Sequence, residues 1–78
     1  MQEHPLSDIK IGERFCITKL LTKGELRQRL LDLGFVPGTK IECARISPFG
    51  DPKAFLIRGA LIALRKEDSE TILGGEEF

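Results

Sequence analysis

The strongest constraint on this chain is the punctuation of one stretch, Thr22 to Pro52, which reads TKGELRQRLLDLGFVPGTKIECARISPFGDP. Glycines and prolines cut it into short pieces, so neither a long helix nor a long strand passes through it. The first piece carries the marks of a helix. Thr22 and Glu25 have capping-box spacing, which predicts that the Thr22 hydroxyl takes the Glu25 amide and that Glu25 reaches back to Thr22. Leu21 before the cap and Leu26 after it match a hydrophobic staple. Leu26, Leu30 and Leu33 repeat at helical spacing and Leu31 widens the stripe, which leaves Arg27, Gln28, Arg29 and Asp32 facing water. Gly34 accepts left-handed backbone, Phe35 can then fold back on Leu30, and Pro37 forbids continuation. About three turns of helix are marginal alone, so packing has to hold this one.

The pieces that follow read as strands and turns. Val36-Pro37-Gly38-Thr39 has proline and glycine where a type II turn needs them. In the strand from Lys40 to Ser47, Ile41 and Cys43 share one phase and Ala44 and Ile46 the other, a slip that predicts a bulge. Pro48-Phe49-Gly50-Asp51-Pro52 is a dense turn cluster expected to join antiparallel strands. Upstream, Phe15 and Ile17 alternate with Arg14, Cys16 and Thr18, which predicts a half-buried strand over 13–20. Downstream, 54–58 and 60–65 read as a hairpin about Gly59. Both its faces are apolar, so it is expected to be central. A charged corner over 65–70 and a short closing strand, Thr71 to Leu73, complete the pattern. Met1–Pro5 and Gly74–Phe78 read as flexible ends, and Asp51 as a residue that caps its own loop. The expected fold is mainly β: a small, partly closed barrel of about five strands with one short helix after the first.

Composition narrows the function. The 78 residues include 12 basic and 12 acidic ones and are 41% hydrophobic, enough for one thin core. A net charge of zero argues against gripping phosphate backbones or anionic lipid. The longest apolar run, Ala60 to Leu64, is far too short to span a bilayer, and the opening residues lack a signal-peptide pattern; the expectation is a cytoplasmic protein. Cys16 and Cys43 then read as free thiols. With His4 they are the candidate metal ligands, but their spacing matches no metal motif. No nucleophile has a base beside it and no phosphate-binding loop is present, so no catalytic residue is assigned.

The run Leu30-Leu31-Asp32-Leu33-Gly34-Phe35-Val36-Pro37-Gly38-Thr39, then Ser47 to Pro52, then Gly59-Ala60-Leu61-Ile62-Ala63-Leu64-Arg65, resembles the FeoA family. The same pattern occurs in the SH3-like C-terminal domain of DtxR-type iron-dependent repressors. The resemblance runs from about Leu6 to Leu73. It implies an SH3-like barrel and a non-enzymatic accessory role in bacterial ferrous iron uptake, beside FeoB, the membrane transporter with a cytosolic GTPase domain. On that reading the partner-binding candidates are Arg27 on the helix and Pro48, Phe49, Gly50, Asp51 and Pro52 in the loop. No nucleic acid, no membrane insertion and no resident cofactor are expected, and homo-oligomerisation is left open. The alternative is a small metal-binding or metal-delivery protein with a weak Fe²⁺ or Zn²⁺ site.

Overall fold

The computed structural model describes residues 3–76. Strand β1 is His4–Pro5, followed by a 3₁₀ turn at Leu6–Asp8. Strand β2 (Arg14–Leu20) leads to helix α1 (Gly24–Leu33), then strands β3 (Lys40–Ile46), β4 (Lys53–Ile57) and β5 (Ala60–Leu64). A single-turn helix, α2 (Lys66–Ser69), precedes β6 (Ile72–Glu76). The six strands form one antiparallel sheet in the order β1-β6-β2-β3-β4-β5. The sheet does not close, because β1 and β5 end it and are not paired with each other.

One face of this sheet makes the core. Phe15, Ile17, Ile41, Cys43, Phe55, Ile57 and Ile72 point inward and are buried, and Leu30, Phe35, Leu6 and Ile9 cover them. Cys16 lies on the other face of β2 and is half-buried, as the alternation predicts. The phase slip in β3 is a register shift between Cys43 and Arg45 against β4. The helix stop is also as read. Gly34 has φ 104°, its N–H donates to the Leu31 carbonyl at 3.0 Å, and the Phe35 N–H donates to the Leu30 carbonyl at 2.9 Å. This pair of bonds is a Schellman closure. The type II turn closes through the Thr39 N–H to the Val36 carbonyl at 3.0 Å, with φ 94° at Gly38.

Several expectations need correction. Among the described residues the strands number six where about five were expected, because His4–Pro5 adds to β6. The capping box is absent: Lys23 is the cap residue and no side chain caps the helix. The Thr22 hydroxyl instead bonds the Thr71 hydroxyl at 2.6 Å, a long-range contact that no local pattern announces. Leu21 and Leu33 are exposed, so Leu30 alone of the helix is fully buried. The charged corner contains α2.

The ends differ as well. Gly74 and Gly75 are buried in β6, opposite Ile17 and Cys16. A Cβ on Gly74 would stand 2.2 Å from the Cys16 carbonyl oxygen, so this glycine lets β6 lie close against β2. At the other end, His4 sets its ring edge-on to Phe15 at 5.4 Å. Met1, Gln2, Glu77 and Phe78 lie outside the described residues. The β4–β5 hairpin is at one end of the sheet rather than its centre, and its second face, with Leu56 and Leu61, is exposed. The Lys53 ammonium reaches across to the early chain and donates to the carbonyls of Ser7 at 2.7 Å and Ile9 at 2.9 Å.

Candidate partner-docking surface

The loop from Ser47 to Pro52 connects β3 to β4 and is tied at several points. The Ser47 N–H donates to the Pro52 carbonyl at 3.0 Å, and the Gly50 N–H donates to the Ser47 carbonyl at 2.7 Å. The Phe49 N–H donates to the Ser47 hydroxyl at 3.4 Å. Gly50 has φ 87°, the left-handed backbone that closes this turn. Asp51 does not cap its own loop. Its Oδ1 accepts the Lys66 N–H at 2.8 Å, so it caps α2 and fixes the loop to that helix.

These bonds leave Phe49 at the tip, 95% exposed. A loop whose polar groups bond internally, with its largest apolar side chain in water, presents a preorganised anchor. Beside it is a cleft of about 220 Å³ lined by Ser7, Gly50, Asp51, Lys53, Lys66 and Ser69. The loop residues Pro48, Phe49, Gly50, Asp51 and Pro52 are all exposed, so the structure presents these five together.

Arg27 is not part of this surface. Its guanidinium donates to the Leu20 carbonyl at 3.0 Å and the Thr22 carbonyl at 3.5 Å, tying α1 to the end of β2. It borders a different cleft, with Leu21 and Gly24.

The metal-ligand candidates are not brought together. Cys43 is fully buried; burial, set against the attraction of Lys53, pushes its thiol pKa up, and the thiol faces the Arg45 carbonyl. The His4 ring packs on Phe15, and Cys16 stands on the opposite sheet face from Cys43's core neighbours. Among the described residues no three His, Cys, Asp or Glu side chains are grouped to hold a metal ion, and no helix is long and apolar enough to cross a membrane. The sequence reading missed the exposed apolar pair Leu56 and Leu61, because it took their hairpin as central.

The fold has clear relatives. Residues 4–74 match the family model described as the FeoA domain. A Porphyromonas gingivalis protein described as an Fe(2+) transport protein A/Fe(2+) transporter FeoB fusion protein is 33% identical over 67 residues, 86% of this chain. This chain spans only 8% of that relative's length. The solution structure of FeoA from Chlorobium tepidum is 35% identical with a TM-score of 0.83, covering 90% of this chain and 68% of that one. Two more distant structures show the fold alone. Stenotrophomonas maltophilia FeoA, described as a prokaryotic SH3 domain protein, is 20% identical with a TM-score of 0.81 over 91% of this chain and 88% of that one. IdeR of T. acidophilum is 14% identical with a TM-score of 0.84, over 99% of this chain and 35% of the repressor. An SH3-like sheet with one helix, matched almost end to end by a family model and by a relative sharing a third of its residues, leaves one conclusion: the chain belongs to the FeoA family.

Proposed function

We propose that this chain is an accessory module of ferrous iron transport that docks on the cytosolic part of a FeoB-type transporter through the Pro48–Pro52 loop, with Phe49 as the anchor. The observation that carries this reading is the fused relative, in which a segment similar to this chain and a FeoB transporter are one polypeptide. Fusion supplies a high effective concentration to a weak contact between the two parts. A fixed loop with one large aromatic at its tip suits that task. Arg27 is a poorer candidate, since backbone carbonyls already engage its guanidinium.

The test is isothermal titration of this protein into the purified GTP-binding cytosolic domain of the same organism's FeoB, with GDP and with a non-hydrolysable GTP analogue. Saturable binding is expected, weakened by Phe49→Ala at least about tenfold, the loss typical of a hot-spot truncation. No binding in either nucleotide state refutes the proposal. Binding indifferent to Phe49→Ala refutes the loop assignment.

A further inference from the structure

Among the described residues, none pairs with the outer edge of β5. β5 ends the sheet and pairs with β4 in unbroken register, from Lys53 opposite Leu64 to Ile57 opposite Ala60. Its sequence, Ala-Leu-Ile-Ala-Leu, holds no charge and no proline, and the ladder holds no bulge. Free strand edges template further strands, and proteins blunt them with charge, proline, bulges or brevity. The opposite edge of this sheet obeys that rule: β1 is 2 residues long and ends in Pro5. On the outward face the apolar surface continues inward from the edge. Leu61 stands opposite Leu56, 49% and 40% exposed, and Ala63 stands opposite Ala54.

The charges at the strand ends select the occupant. Arg58 precedes β5 and Arg65 follows it, both exposed. Lys66, Glu67 and Asp68 belong to α2, where the chain has left the line of the strand. A second copy paired antiparallel through β5 sets Arg58 of each chain towards Arg65 of the other, and like charges placed opposite destabilise a pair of strands. An extended apolar segment flanked by carboxylates meets the same edge with the opposite sign.

We propose that β5 is a docking edge for such a segment: an apolar strand of a partner protein, acidic at both ends, added antiparallel to β5. Main-chain hydrogen bonds supply affinity, the Leu61–Leu56 row receives alternate apolar side chains, and the basic ends set register. This surface does not include Phe49, so it stands or falls independently of the loop contact.

The probe is a fluorescein-labelled peptide, Glu-Glu-Val-Thr-Val-Thr-Val-Glu-Glu, titrated into ¹⁵N-labelled protein and followed by anisotropy and amide shifts. Saturable binding with the largest shifts at Ala60–Leu64 is expected. Alternate backbone N-methylation of the peptide keeps its charge and side chains but removes ladder donors, and is expected to abolish binding. Replacing the peptide's glutamates by lysines, or introducing Arg58→Glu with Arg65→Glu, should each weaken binding about tenfold, and combining the two reversals should restore it. Thermal melts check that the double variant folds, and the peptide-side arms do not depend on it. No shifts at Ala60–Leu64, undiminished binding of the N-methylated peptide, or a β5-mediated homodimer in sedimentation equilibrium each overturns the proposal.

Discussion

Gly74→Ala tests the packing of the sheet with a single methyl group. Gly74 faces Ile17 across the β6–β2 ladder. A Cβ there would stand 2.2 Å from the Cys16 carbonyl oxygen and 2.6 and 2.7 Å from two carbons of the Phe15 ring. Comfortable contacts between such atoms begin near 3.5 Å, so about an ångström has to be found. The ring has little room to yield, because Phe15 is fully buried with His4 edge-on to it. The carbonyl belongs to the backbone of the same ladder and moves only at the ladder's expense. Overpacking costs about 1–3 kcal/mol, and an unyielding neighbour on both sides puts this site near 3 kcal/mol. In a domain of this size that lowers the melting temperature by about 12–24 °C. Urea unfolding followed by far-ultraviolet circular dichroism is the assay. Gly50→Ala is the comparison: its Cβ meets nothing within 4 Å, so only the left-handed backbone at φ 87° is strained. That strain costs about 1–2 kcal/mol. A Gly74→Ala protein within 1 kcal/mol of the parent (about a 5 °C shift) refutes the close approach of β6 to β2.

Other outcomes follow from the same geometry. Phe49→Ala should leave stability within about 0.5 kcal/mol of the parent while it weakens transporter binding, because the ring buries nothing within this chain. Thr22→Val should cost about 0.5–1.5 kcal/mol in urea unfolding by removing its bond to the Thr71 hydroxyl, which keeps its own bond to the Asp68 carbonyl, whereas Glu25→Ala should change little, the reverse of what a capping box requires. The buried Cys43 thiol has its pKa raised, chiefly by burial, so its contribution to stability is present below the ordinary thiol pKa and declines as pH rises from there towards the folded value. Unfolding measured from pH 7 to 10 should show this decline, Cys43→Ala should flatten it, and a thiol reagent should label Cys16 before Cys43.

Local signals were legible in the sequence and distant ones were not. Gly34-Phe35, Pro37-Gly38 and the Ser47–Pro52 cluster act on their own neighbours, so residue type alone predicts the backbone they adopt. The β3 phase slip was readable for the same reason, since a bulge displaces side chains along one strand. Thr22 misled because its hydroxyl had two possible partners. The one that prevailed, Thr71, lies 49 residues away. Gly74 and Gly75 misled because glycine weakens isolated strands, and its value here appears only once Phe15 is set against it. The rank of β5 in the sheet depends on pairing order, which an apolar five-residue run does not encode. At the candidate site the turn was expected from its glycine and prolines, but those residues do not say whether Phe49 packs back or projects, which only the structure shows. The Asp51 bond to α2 was not expected, because α2 itself was hidden in a run of charges.

The Lys53 side chain has a consequence for how the domain breathes. It spans the gap between the first residues and β4 with two bonds to carbonyl oxygens, where no ladder joins the ends of the sheet. Leu6 and Ile9 are buried beside this clasp, so lifting the amino-terminal turn costs their core packing as well as the two bonds, and the clasp helps to hold that turn down. Acetylating that amine would strip its charge and loosen the clasp, while the ladder from β6 through β5 stays intact.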